Sequence, residues 1–173
     1  MSTQAQTQTQ TQTPDFVISR TFNAPRELVW QAFTDPERMK AWWGPKGFTV
    51  IASKMDFRVG GTYLYGMRAP DGSAMWGKFT YREIEPPQRM VVVNSFSDEA
   101  GGITRHPMSA TWPRELLSTF LFEDEGGRTR LTVKWVPLNA SVEEIATFDG
   151  ARESMRQGWT GTLDSLDTYL AKA

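Results

Sequence analysis

The sequence predicts an α+β fold: a curved antiparallel sheet of about six to seven strands wrapped around a long C-terminal helix, with two short helices after the first strand. Three observations predict it. From Ser141 to Ala173 the residues Met155, Trp159, Leu163, Leu166 and Leu170 recur at steps of four, four, three and four, the spacing of one apolar helix stripe. The roughly ninety residues before this segment read almost wholly as strands. Their connections are mostly short turns, which join antiparallel neighbours into a meander rather than βαβ units. One helix must then cover one face of one sheet, and a sheet curved around a helix can enclose a pocket.

Residues 1–13 are a Thr/Gln repeat without the apolar side chains that offset ordering entropy, so a disordered tail is expected there and a single domain over 14–173. Asp15 to Phe22 has the β-branched and aromatic content of a first strand. Asn23-Ala24-Pro25 then starts a helix with proline in its first turn, running to about Phe33. Asp35-Pro36 repeats that signal, and Met39, Trp42 and Trp43 form a short stripe that Gly44-Pro45 ends. Strands are expected at about 48–57, 62–68, 75–85, 89–96, 116–124 and 128–136. Gly60-Gly61, Pro70-Asp71-Gly72, Pro86-Pro87 and Glu125-Gly126-Gly127 mark turns between them. Ser97 to Pro113 lacks periodicity, and a gap of that length is uncommon unless it is disordered or forms a lid or binding loop.

Alternation assigns the strand faces. Tyr63, Tyr65 and Met67 share one face, Gly77, Phe79 and Tyr81 the same face of the next strand, then Phe120 with Phe122, and Leu131 with Val133 and Trp135. Arg130, Thr132 and Lys134 occupy the opposite phase, so one sheet face is solvated and the other is aromatic and covered by the helix.

A chain of 173 residues buries about 70% of its unfolded surface and can hold a core with a hole in it. Nineteen basic against twenty acidic residues, with no basic run, argue against nucleic acid as a partner. The absence of cysteine removes disulfides, thiolate metal sites and thiol nucleophiles, and fits a reducing compartment, the cytoplasm by default. The N-terminal residues do not have the pattern of a signal or transit peptide, and no stretch is apolar enough to insert in a membrane.

Six stretches in order carry a family resemblance: APRELVWQAFTDPERMKAWWGP at 24–45, MDFRVGGTYLYGM at 55–67, WGKFTYREIEPPQRMV at 76–91, TRHPMSATWP at 104–113, TFLFEDEGGRTRLTVKW at 119–135 and MRQGWTGTLDSLDTYL at 155–170. With them the chain resembles the SRPBCC, or START-like, superfamily, and within it the family named after the activator of Hsp90 ATPase. The resemblance implies the helix-grip fold, with an internal cavity that in related families holds apolar ligands. It supplies no shared catalytic motif, so no catalytic residue is carried over.

The residues expected to line such a cavity are Trp42, Trp43, Phe48, Tyr63, Tyr65, Met67 and Trp76, followed by Phe79, Tyr81, Phe120, Trp135, Met155, Trp159 and Leu163. A dense aromatic core is the alternative for any one of them; for the set, a large apolar pocket with a few polar groups is favoured. His106 and Trp112 are candidate lid residues, although for His106 a turn histidine that holds loop backbone is the favoured reading. Gly158 and Gly161 flank Trp159 at a helix cost of about 1 kcal/mol each; close approach to the sheet, or a kink that widens a pocket mouth, would account for them. Asp56, Arg58, Glu83 and Glu85 show no hydrolytic spacing, with Arg58 and Glu83 expected on the solvated face or rim. One histidine and no cysteine make a metal site a poor match to zinc or copper preferences, and no cofactor motif is present.

Three functions compete. A non-catalytic binder would take an apolar or aromatic molecule in the cavity. An interaction module would contact a chaperone or another protein. An enzyme of cyclase or dehydratase type would act on a hydrophobic substrate. A monomer or a homodimer is compatible with all three.

Overall fold

The computed structural model describes residues 15–173, so the expected tail over 1–13 lies outside the described residues. Strand β1 (Phe16–Phe22) leads into helices α1 (Arg26–Thr34) and α2 (Pro36–Trp42). Strands β2 (Thr49–Met55), β3 (Thr62–Arg68), β4 (Ala74–Glu85) and β5 (Arg89–Ser97) follow. A short β6 (Ile103–Thr104) precedes β7 (Glu115–Glu125) and β8 (Arg128–Leu138), and helices α3 (Val142–Gly150) and α4 (Arg152–Lys172) come last.

All the strands form one antiparallel sheet in the order β1-β8-β7-β5-β4-β3-β2, with β6 paired to β5 off that path. Its hairpin neighbours pair in sequence, as short connections require. β1 is the exception: it pairs with β8 from Phe16 opposite Trp135 to Phe22 opposite Thr129. Helices α1 and α2 therefore carry the chain from the β1 edge to the β2 edge. Asp35 caps α2 by accepting from the Glu37 N–H at 2.9 Å, with Pro36 at the first helical position. Pro25 stands at the N-cap of α1, one place before the expected first turn.

The segment from Ser141 onward, expected as one helix, is two. Ser141 and Glu144 form a reciprocal capping box that starts α3. The chain then breaks at Ala151 (φ −104°, ψ 14°), beside Gly150, a weak helix former. The break lets Phe148 pack against Trp112 at 5.8 Å while α4 follows the sheet. The stripe of Met155, Trp159, Leu163, Leu166 and Leu170 is buried along α4, as its spacing requires. The expected loop from Ser97 to Pro113 is also more ordered than its composition suggests: Ile103 and Thr104 pair with Ser97 and Phe96, and His106 bridges Ser109. No helix among the described residues is long and apolar enough to cross a membrane.

The sheet's inner face divides into a filled end and an open end. At the filled end Phe33 sits among Trp42, Phe120 and Phe122, with ring centroids 4.9 to 5.5 Å away. Met90, Val92, Tyr81, Leu131, Val133 and Leu163 complete that packing, all within 1% of full burial. Toward the other end the same strands continue past the reach of α1 and α2.

Candidate ligand cavity

At the open end a half-open cavity of about 510 Å3 lies between the sheet, α4 and the 98–113 loop. The inner-face positions that line it extend the filled-end stripes by one or two alternations. They are Tyr65 and Met67 on β3, Met75 and Phe79 on β4, Asn94 and Phe96 on β5, Leu116, Ser118 and Phe120 on β7, and Trp135 on β8. Helix α4 contributes Met155, Gly158, Trp159 and Thr162, and the loop contributes His106, Ser109, Trp112 and Pro113. Trp43 enters from the turn after α2, where its own N–H bonds to the Met39 carbonyl at 2.9 Å. Gly44 at φ +96° makes that turn possible, since a Cβ there would stand 2.6 Å from the Met67 sulfur.

The structure separates the residues expected to line a cavity into two groups. Trp43, Tyr65, Met67, Phe79, Phe120, Trp135, Met155 and Trp159 surround it, with the lid candidates His106 and Trp112 at its edge. Tyr63 and Tyr81 share the inner face but belong to the filled end, as does Leu163 on α4. The Tyr63 hydroxyl is bonded to Ser53 at 2.8 Å, and Tyr81 packs on Phe57 at 5.0 Å with its hydroxyl unpartnered. Trp42 donates its indole N–H to the Ala32 carbonyl at 2.9 Å. With Phe48 it borders a separate surface recess near the end of α4. Trp76 has the wrong phase: it alternates with Gly77 and covers Gly66 on the outer face, where a Cβ would stand 2.8 Å from its ring. On the inner face the converse occurs, with the end of Tyr65 lying over Gly77 at 2.2 Å from where a Cβ would be. Met75, Asn94, Phe96, Leu116 and Ser118 escaped the sequence reading. The signal was available, since alternation carried one or two steps further along β4 and β7, and applied to β5 as well, reaches them.

Eight rings, Trp43, Tyr65, Phe79, Phe96, Trp112, Phe120, Trp135 and Trp159, build the aromatic wall. Trp159 is its hub, edge-to-face with Trp43 at 5.9 Å, Phe120 at 6.1 Å and Trp135 at 5.7 Å. Among the described residues no Asp, Glu, Lys or Arg lines the cavity. Two lining groups are titratable. Burial pushes the Tyr65 phenol up to about 12, opposed by the neighbouring Trp43 indole, whose N–H lies outside hydrogen-bond geometry and has no partner among the described residues. Partial burial lowers the pKa of His106. Its Nδ1 accepts from the Met108 N–H at 2.9 Å, so the neutral ring carries its proton on Nε2. Both groups are uncharged at neutral pH.

The geometry of one curved sheet, two short helices and a covering C-terminal helix is matched by a known family. Residues 23–171 match the family described as activator of Hsp90 ATPase homolog 1-like protein. The chain belongs to that family. Similar solved structures include a protein of Arthrobacter aurescens, 27% identical with TM-score 0.74 over 92% of this chain and 87% of that one. Another is a protein of Mycobacterium smegmatis, 24% identical with TM-score 0.73 over 90% of each chain. A third is the AHSA1 protein of Silicibacter pomeroyi, 22% identical with TM-score 0.68 over 91% of this chain and 98% of that one. These likenesses concern the fold. No curated protein matches the chain.

In this member of the activator-like family the cavity edge is tied to α3. Arg105 pairs with Glu144 at 2.5 Å and donates to the Trp112 carbonyl at 3.2 Å. Thr147 donates to the Thr111 hydroxyl at 2.8 Å. His106 packs on Phe96 at 4.7 Å and near Trp112 at 6.1 Å, which keeps the loop over the open end of the sheet.

Proposed function

We propose that this protein binds a neutral, largely apolar small molecule with aromatic character in the cavity between sheet and α4, without transforming it. The observation that carries this reading is a cavity of about 510 Å3 walled by eight Phe, Tyr and Trp rings and, among the described residues, bordered by no charged side chain. A charged ligand would be left unpaired in a low-dielectric site, at a cost of several kcal/mol. The volume lies within the range of small-molecule sites, about 300 to 1,000 Å3. A cyclase or dehydratase would need an inward carboxylate, and among the described residues none lines the cavity.

Native mass spectrometry of freshly purified protein tests the proposal by showing any retained molecule. Titration with N-phenyl-1-naphthylamine, a neutral apolar fluorophore, tests the cavity when nothing is retained. Saturable fluorescence enhancement that Trp159→Ala weakens is the expected result. An apo mass together with no enhancement would overturn the reading.

The family description supports a second reading, a chaperone partner of Hsp90 type. Stimulation of an Hsp90 ATPase by the purified chain is its direct test, and a flat response over a wide concentration range would remove it.

A further inference from the structure

Along the inner face of β5, Met90 and Val92 are fully buried apolar residues, and the next inward position is Asn94. β7 has the same interruption, with Ser118 fully buried in an otherwise apolar stripe. The register sets Val92 opposite Ser118 and Asn94 opposite Leu116, so Asn94 and Ser118 are diagonal neighbours on one face. Polar side chains on a buried face cost free energy unless bonded. The Ser118 hydroxyl donates to Asn94 Oδ1.

The hydrogen bond from Ser118 orients the amide. Ser118 has one hydroxyl hydrogen, and among the described residues Asn94 Oδ1 is its acceptor. The oxygen of the amide faces Ser118, which leaves Nδ2 with its two N–H groups for the cavity that Asn94 lines. Nδ2 has no partner among the described residues, and it is not one of the sealed core atoms that lack one. Asn94 is also the last residue of β5 paired to β7, since β6 takes over the pairing at Phe96. The amide is thus held by sheet backbone at the point where the sheet divides.

We infer that Asn94 is a specificity-determining residue that donates a hydrogen bond to a carbonyl-type oxygen on a planar, neutral ring system, with Ser118 as the positioning residue that holds the amide in that orientation. The inference rests on the cavity being the ligand site. The aromatic wall takes the ring faces, and the uncharged lining excludes an acid or an amine as the polar group.

A matched pair of probes tests it: fluoren-9-one and fluorene share a planar tricycle and differ by the carbonyl oxygen. Both are titrated against the full chain by quenching of tryptophan emission, and the quantity read is the ratio of their affinities. Asn94→Leu, which keeps the side-chain volume, lowers the fluorenone-to-fluorene ratio about tenfold from its wild-type value while fluorene affinity stays within about twofold. Ser118→Ala, which frees the amide to turn, lowers the ratio by a smaller factor. An unchanged ratio in Asn94→Leu overturns the role of Asn94 and leaves the cavity reading intact. If Asn94→Leu loses fluorene as well, its cavity has collapsed, and an unchanged ratio in Ser118→Ala then overturns the inference. Wild-type protein that binds neither probe overturns the cavity reading with it.

Discussion

Trp159 stands where the filled end of the sheet meets the open one. Three rings hold it, yet one side borders the cavity, so truncation removes contacts without creating a wholly new void. Phe33 is enclosed on all sides by Trp42, Phe120 and Phe122. In urea denaturation Phe33→Ala should cost about 3 to 5 kcal/mol and Trp159→Ala about 2 kcal/mol, because the cost of a truncation grows with the cavity it leaves. Equal losses would mean that Trp159 is ordinary core. At this scale the sequence displayed which residues are aromatic and inward by phase. It did not display which inward rings are enclosed, because Tyr63 and Tyr65 have the same type and phase, yet Tyr63 is fully buried and Tyr65 lines the cavity.

Helix α4 shows how one element serves both ends of the sheet. A Cβ on Gly161 would approach Pro45 to 3.3 Å, so that glycine permits close contact with the turn after α2. A Cβ on Gly158 would meet nothing within 4 Å, and this glycine lines the cavity mouth. The close approach expected of these glycines is thus to the turn after α2 rather than to the sheet, and α4 runs unbroken through Gly158. Gly158→Ala should stabilise the protein by about 0.5 to 1 kcal/mol in urea melts, while Gly161→Ala should gain little, since crowding against Pro45 offsets the helix propensity. The latch between the 98–113 loop and α3 is sensitive to pH. Burial lowers the pKa of His106 below 6.5. The Ser141 backbone N–H first, and Arg105 second, lower that of Glu144 below 4.5. Groups with lowered pKa favour the docked state above their ordinary values and lose that contribution as pH falls through the lowered ones. Amide exchange over 98–113, corrected for intrinsic rates, should therefore be more protected at about pH 7 than at about pH 4. Unchanged protection would show that the latch does not depend on these groups.

For the molecule as a whole, a ligand that binds only the folded state adds about 2.7 kcal/mol at one hundred times its Kd. In a chain of this size that corresponds to a rise in Tm of roughly 5 to 10 °C. Calorimetry with a molecule retained through purification should show a shift of that order, and a change below about 1 °C at saturation would argue against a site in the core. The sequence by itself determined seven of the strands, their antiparallel pairing across the short turns, the solvated face with Arg130, Thr132 and Lys134, and the α4 stripe, because period-two and period-3.6 patterns are local consequences of burial on one face. It also determined the family, since six ordered stretches span the region 23–171 that matches. Tertiary structure alone decided the break at Ala151, the pairing of β6 and the division of the inner face into filled and open ends. It alone brought Asn94 to Ser118 and His106 to Phe96. Those depend on where α1, α2 and the loop stop along the sheet, a distance in space that no residue spacing within a strand encodes.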